Sequence, residues 1–550
     1  MIVVDAGPGT GKTHTIVERY IRMISRQDIS PKDVLLLTFT NNAAAEMEER
    51  IKKRMSELGM EKESKLVLAK TFDAFCLSIV LDSPDMISSF FDFPERLTRA
   101  AIMHENESLN RDYFVRFLDS FLNDRGADYG DIAVIASQNA DSLMDLISNL
   151  MSKGLIPQRS GWFGNNWDRI LEGDTEAVIR KLNENNDVSS KGNTANSSKL
   201  GKIGKDDSYL LPELLPDNVL SDDDIRRVAF DDRATLFRFV HDVYYAYIRH
   251  SVSDNRLTFN LVSVFAFTVL YRNASVRQRN SFNYLMVDEF QDTNANQLMI
   301  ALMIMKEPNL CVVGDWKQGI YGFRYVSIEN ITEFEERTVE YRRFLNQGGE
   351  KRVPFSIPEK ISLPLDVNYR SPQNIIDLAF ECIYLKGSEA DDVKRDELES
   401  KVVKITADDD KHGHTDIRFV QSDSKEGEVE DTIRAIKDYV FSDCYSIWDG
   451  KEKRRVGFGD IAVICRNTES CRRIRDACQD QGIPAYLQGD VQIMSTREGK
   501  LALAWLRFVN NDKDPWAIVP IMSDMDYPPV RIERASKDHR AIPEILLRQR

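Results

Sequence analysis

Apolar residues fall into two patterns along this chain. Short unbroken runs occur at Ile2-Val3-Val4, Val34 to Leu37, Tyr284 to Val287 and Leu310 to Val313. Such runs, rich in aliphatic and β-branched side chains, predict strands of a parallel sheet buried on both faces. Elsewhere the apolar positions are spaced. Ile16, Val17, Tyr20, Met23 and Ile24 share one helical face and predict a helix from Lys12 to about Ile24. Ala43 to Leu58, rich in Ala, Glu, Met and Lys, predicts a second helix. Strand and helix therefore alternate, as in a parallel α/β fold. From about residue 80 to 275 the pattern is long, mixed and mostly helical. Its most apolar stretch, Phe259 to Tyr271, is 13 residues long, too short for a membrane span, and reads as a buried helix or strand. Asn183 to Ser208 is dominated by small and polar residues and reads as a flexible loop. A third α/β stretch begins near Leu363, contains a charge-rich surface excursion from Lys386 to Asp410, and includes a predicted strand at Ile461 to Ile464.

Composition narrows this picture. At roughly 150 residues per domain, a chain of 550 residues suggests three or four domains. The 88 acidic residues outnumber the 73 basic ones, for a net charge of −15. That balance excludes a uniformly basic exterior but leaves room for a local basic groove. Seven cysteines without close pairs do not make a disulfide framework and fit reduced thiols. The amino terminus lacks the charged and apolar regions of a signal peptide. A cytoplasmic protein without a membrane partner is the expectation.

The strongest chemical signal is Ala6, Gly7, Pro8, Gly9, Thr10, Gly11, Lys12 and Thr13, between the first strand and the first helix. This is the context of a P-loop, whose glycines aim backbone N–H groups at phosphate oxygens. Lys12 is placed to reach the β- and γ-phosphates, and Thr13 to ligate Mg²⁺. Asp288 and Glu289 follow the apolar run ending at Val287. Asp288 suits Mg²⁺, and Glu289 suits orientation or deprotonation of an attacking water. Adjacent acids after a buried strand suggest hydrolysis rather than phosphate transfer to a metabolite.

Further motifs follow in order: Thr38 to Met47, Thr71 to Phe75, Asp288 to Asp292, Val313 to Arg324, Asn368 to Ser371, and Ile461 to Arg466. In this order they resemble motifs Ia, Ib, II, III and IV, and the strand after motif IV, of the UvrD/Rep group of superfamily 1 helicases. The resemblance implies an ATP- and Mg²⁺-dependent motor of two RecA-like domains. It would move on single-stranded or partly duplex DNA, usually 3′ to 5′, in repair or recombination. It further implies that Gln318 senses the γ-phosphate, Arg370 acts as an arginine finger, and Tyr369 stacks on adenine. DNA contact falls to Phe39, Thr40, Asn41, Thr71, Tyr321 and Phe323. Phe39 also closes an apolar strand, so core packing stays open there. Stacking on aromatic rings is tolerant of sequence because every base has a π-face.

The chain departs from the family in several places. No Gln-containing adenine motif precedes Ala6, His14 stands where an adenine-contacting Arg is common, and Asn41-Asn42 replaces Asn-Lys. No motif V or VI is evident, so the expectation is an incomplete chain. The alternative is a non-catalytic ATP- and nucleic-acid-binding subunit of a larger helicase or helicase–nuclease complex. The 276 residues between Lys12 and Asp288 lean toward relatives of the RecB/AddA kind. The expected layout is a first RecA-like domain from 1–80 and 276–362. A mainly helical insertion occupies 81–275, and an incomplete second RecA-like domain with the start of its insertion occupies 363–550.

Overall fold

A computed structural model describes residues 1–27, 29–98, 101–102, 107–138, 140–163, 233–319, 329–384, 403–408, 417–449, 452–487, 497–510 and 515–525. The loop expected at 183–208 lies outside the described residues, as does most of the 386–410 excursion. The chain divides into two compact units, Met1–Thr415 and Asp416–Arg550.

The first unit is built on a six-stranded, all-parallel sheet. Its strands are β1 (Ile2–Ala6), β2 (Val34–Thr38), β3 (Ala69–Thr71), β4 (Tyr284–Val287), β5 (Leu310–Gly314) and β6 (Ile361–Leu365). Their order across the sheet is β3-β2-β4-β5-β1-β6. Successive side chains on a strand point to opposite faces, and the two faces carry different helices. Val4, Leu36, Met286 and Val313 pack against α1 (Lys12–Gln27) and α2 (Asn41–Glu57), through Ile16, Tyr20, Met47 and Ile51. Val3, Leu37, Val287 and Val312 face a larger helical core on the other side. With both faces covered, the central strands need unbroken apolar runs, which is why they stand out in the sequence. At the edge, β6 is mostly exposed and contains Pro364, which an edge strand tolerates because one side of its ladder is unused. The expected boundary after residue 362 falls inside this strand.

The second face is covered by α3 (Phe72–Asp82), α4 (Glu107–Arg125), α5 (Ala140–Ser152), α6 (Arg233–Ser253), α7 (Phe259–Arg272) and α8 (Ala295–Met303). Helix α7 is the most apolar stretch noted above, and every residue from Leu261 to Leu270 is buried. It packs on α3, α5 and α8, so no side faces solvent. Its carboxyl end would leave carbonyls unpaired in a dry interior. Arg277 donates to Leu270 O and Arg352 donates to Tyr271 O, and Glu350 bridges the two guanidiniums. No single described helix is long and apolar enough to cross a membrane.

His241 on α6 fastens the turn at residues 158–161. Its Nδ1 lies 2.8 Å from Asp242 Oδ1, and its Nε2 lies 3.0 and 2.9 Å from the carbonyls of Gln158 and Gly161. Acceptors at both nitrogens suit only the imidazolium, which donates twice. Burial alone would lower the His241 pKa, but the bonds to Asp242 and the two carbonyls raise it above its ordinary value. Asp242 also accepts from Tyr129 and Arg125. A raised folded-state value means the contribution is full below pH 6.5 and is lost as pH rises through the folded value. His241→Gln is therefore expected to cost about 1–3 kcal/mol at pH 6 and much less at pH 8.5. Urea denaturation at the two pH values checks this, and an equal cost at both would exclude the imidazolium.

In the second unit, α10 (Lys425–Phe441) packs on α11 (Thr468–Asp480) through Ile433, Ile436, Ile474 and Cys478. Ser446–Asp449 and Glu452–Arg455 form an antiparallel hairpin. The strand expected at Ile461 to Ile464 does not form: these residues have no regular structure, and Ile464 is 93% exposed. An apolar run becomes a strand only beside a ladder partner, and none lies next to it among the described residues.

Candidate nucleotide and nucleic-acid site

In a parallel sheet, the carboxyl ends of the strands lie along one edge, where ligands of open α/β folds bind. Here that edge gathers the predicted residues from distant points in the chain. The P-loop leaves β1, Phe39 to Asn41 leave β2, Thr71 ends β3, Asp288 and Glu289 leave β4, and Asp315 leaves β5.

The loop itself is shaped by glycine. Gly9 and Gly11 have φ of +74° and +87°, which L side chains rarely adopt. Thr10 closes the turn from within, its hydroxyl donating to Gly7 O at 2.8 Å. A Cβ on Gly9 would lie 2.7 Å from Arg370 Cβ and 2.8 Å from Asn368 Oδ1. The segment from Asn368 to Ser371 thus sits directly on the loop. Asn368 Nδ2 donates to Pro8 O at 2.6 Å, and Tyr369 N donates to Gly9 O at 2.9 Å. Asn368 Oδ1 accepts from the backbone N–H groups of Arg370 and Ser371, which fixes the turn. A cavity of about 140 Å³ lies between the loop and α9 (Gln373–Tyr384), bordered by Pro8, Lys317, Gln318 and Asn368. Ligand pockets run from about 300 Å³ upward, so a nucleoside triphosphate needs space beyond this cavity.

Five residues close a hydrogen-bonded ring at the sheet edge. Lys12 Nζ donates to Glu289 Oε2 at 2.9 Å and to Gln318 Oε1 at 3.4 Å. Gln291 Nε2 donates to the same Glu289 oxygen at 2.8 Å, and Gln291 Oε1 accepts from Asp315 N at 2.9 Å. Gln318 Nε2 donates to Asp315 Oδ2 at 2.9 Å. Each glutamine donates and accepts, so both amides are held one way round. Gly314 makes room for the ring, because a Cβ there would stand 2.7 Å from Gln291 Oε1. Glu289 has φ of +49°, uncommon for a residue with a side chain. Such strained conformations cluster at functional sites.

Asp288 is buried beside this ring. Burial and the charge of Glu289 push its carboxyl up to about 6, against the pull of the Glu289 N–H and Lys12. Lys12 is paired with Glu289 rather than with Asp288, so among the described residues this buried carboxylate has no cation paired with it. That is the donor chemistry a divalent ion satisfies. Thr13, on the first turn of α1, is half-buried.

The remaining residues fall as follows. Ala6 and Gly7 are buried, and Pro8 is exposed. His14 is exposed and borders an open cleft with Glu18, Arg50 and Lys53. Tyr369 and Arg370 are exposed at the loop. Phe39 is half-buried and Asn41 is exposed. The hydroxyls of Thr40 and Thr71 cap α2 and α3, accepting from Ala43 N and Ala74 N at 3.1 Å. Tyr321 and Phe323 lie outside the described residues. Gln291, Asp315, Lys317, Asn368 and Asp5 join the site although no sequence signal marks them individually. Four of them lie inside quoted motifs, and Asp5 is a charge within an apolar strand.

Residues 1–338 match the UvrD/REP helicase N-terminal domain, and residues 363–528 match the UvrD-like helicase C-terminal domain. The chain is also similar to the ATP-dependent DNA helicase PcrA of Staphylococcus epidermidis, at 24% identity over 525 residues. That alignment covers 95% of this chain and 53% of the relative. PcrA of Staphylococcus aureus is 23% identical over 526 residues, with the same coverage. The chain spans about half the length of the curated relatives it matches.

Proposed function

Because the chain belongs to the UvrD/REP helicase family, we propose that it hydrolyses ATP to move along single-stranded DNA. It acts as a 3′-to-5′ translocase or helicase in DNA repair or recombination. One observation carries this reading: Lys12, Glu289 and Gln318 meet within 3.4 Å although 306 residues separate the first from the last.

The residues divide the work. Lys12 leaves Glu289 for the β- and γ-phosphates as the triphosphate enters, and the P-loop N–H groups hold the remaining oxygens. Glu289, released, orients the attacking water and accepts its proton. Gln318 takes the γ-phosphate as its new partner, so the ring opens only for a triphosphate. Arg370, free of ion pairs among the described residues, stabilises charge in the transition state. Tyr369 stacks on adenine. Thr13 and Asp288 would hold Mg²⁺, which neutralises charge on the β- and γ-phosphates. Phe39, Asn41 and Thr71, at the ends of β2 and β3, contact the DNA strand.

The test combines ATP turnover with and without single-stranded DNA and strand displacement on duplexes with a 3′ or a 5′ tail. Turnover stimulated about tenfold or more, with displacement from the 3′ tail alone, supports the reading. Displacement from the 5′ tail alone reverses the polarity. ATP-dependent DNA binding without turnover identifies instead a nucleotide-gated binding subunit, including one that serves a nuclease partner.

A further inference from the structure

Behind the ring lies a charge cluster that the proposed mechanism does not use. The Lys317 side chain is 4% exposed, and its Nζ lies 2.7 Å from Asp315 Oδ1, on a side chain with no exposure at all. The same Nζ lies 4.0 Å from Asp5 Oδ1, itself buried and without a hydrogen bond. Asp5 reaches this place because β1 pairs with β5 in a register that sets it beside Gly314. One lysine thus stands between two carboxylates at the end of the central strands.

The geometry of Asp315 makes this cluster relevant to Gln318. Oδ1 accepts from the Lys317 backbone N–H at 3.1 Å and lies 2.7 Å from the Lys317 ammonium, an ion pair without hydrogen-bond alignment. Oδ2 is thereby aimed at Gln318 Nε2. A carboxylate only accepts, so Gln318 must present its NH₂ to Asp315 and its carbonyl oxygen to Lys12. Remove the cation, and a fully buried carboxylate is left uncompensated. It then turns away or takes up a proton, and a protonated Asp315 no longer dictates which end of the amide faces it.

We propose that Asp5 and Lys317 are positioning residues that orient the Gln318 amide through Asp315, and so set the preference of the site for a triphosphate over a diphosphate. The proposal rests on the reading of Gln318 as the residue that senses the γ-phosphate. Asp5 acts at one remove: its carboxylate, 4.0 Å from the ammonium, partly offsets the pull of Asp315 at 2.7 Å.

The experiment measures the affinities of the full chain for ATPγS and for ADP with Mg²⁺, by titration calorimetry. It needs no turnover. Gln318→Ala is expected to lower the ATPγS-to-ADP preference about tenfold, the size of one hydrogen bond to a charged group. Lys317→Met is expected to lower it by the same factor, with ADP affinity changed by less than about twofold, and the double variant no further, because one residue acts through the other. Asp5→Asn, more exposed and less disruptive, is expected to lower the preference about threefold with the same lack of additivity, and it carries the test if Lys317→Met does not fold. Factors that multiply in the double variants overturn the proposal, as does an equal loss of ADP affinity, which marks collapse of the whole site. An unimpaired Gln318→Ala removes the reading of Gln318 itself, and the proposal with it.

Discussion

Lys12→Ala is expected to lower ATP turnover about a thousandfold, the upper end of what one transition-state contact contributes. Two losses combine. The lysine is the one cation of the hydrogen-bonded ring, and it stands at the mouth of a loop that would otherwise offer phosphate only neutral N–H groups. Its removal also leaves Gln291 as the one side-chain partner of Glu289 among the described residues and takes away a charge that pulls the Asp288 carboxyl down. Asp288 then holds its proton to higher pH and competes less well for Mg²⁺. Steady-state turnover and calorimetric ATP affinity check this together. Unchanged affinity for ATP would remove Lys12 from the phosphate site.

Glu289→Gln is expected to lower turnover about a hundredfold to a thousandfold, the lower part of the range of general-base catalysis, while MgATP still binds. The ring geometry is what confines the effect to chemistry. Lys12 and Gln291 both donate to the same oxygen, Oε2. A glutamine can offer that one carbonyl oxygen to both donors, so the ring survives the change and only the base is lost. Single-turnover measurements with radiolabelled ATP separate binding from cleavage. Retained cleavage would assign the base elsewhere, and lost binding would show that the charge of Glu289 is structural.

These two residues also show how much of the site is legible in the sequence. Lys12 and Glu289 could be read from local context, because a P-loop needs a strand before it and a helix after it, and a Walker-type acid needs a buried strand. The strands at Val34, Tyr284 and Leu310 were legible for a related reason. They lie between two helical layers, so neither face accepts a polar residue. The run at Ile461 has the same composition without a ladder neighbour among the described residues, and it stays irregular. Helix α7 could be read as buried but not as a helix, since a stretch apolar all round carries no period.

The threonines mark a different limit. Motif resemblance places Thr40 and Thr71 at the DNA, and in the structure their hydroxyls also cap α2 and α3. An N-cap and a nucleic-acid contact call for the same small polar residue just before a helix, so sequence alone does not separate them. Asp5 and Lys317 mark the limit more sharply. Lys317 meets Asp315 from two residues away, but Asp5 lies 312 residues from Lys317 in sequence, and only the pairing of β1 with β5 brings it to them.

The sequence by itself determined the strand–helix alternation, the P-loop, the adjacent acids and the order of motifs. Each of these is specified by contacts within a few residues, or by burial that any neighbour can supply. Tertiary structure alone decided the closed ring from Lys12 to Gln318, the seating of Asn368 on the P-loop, and the charge cluster behind Gln318. Those depend on strand order and register, which are properties of how distant segments pair and leave no local trace in the chain.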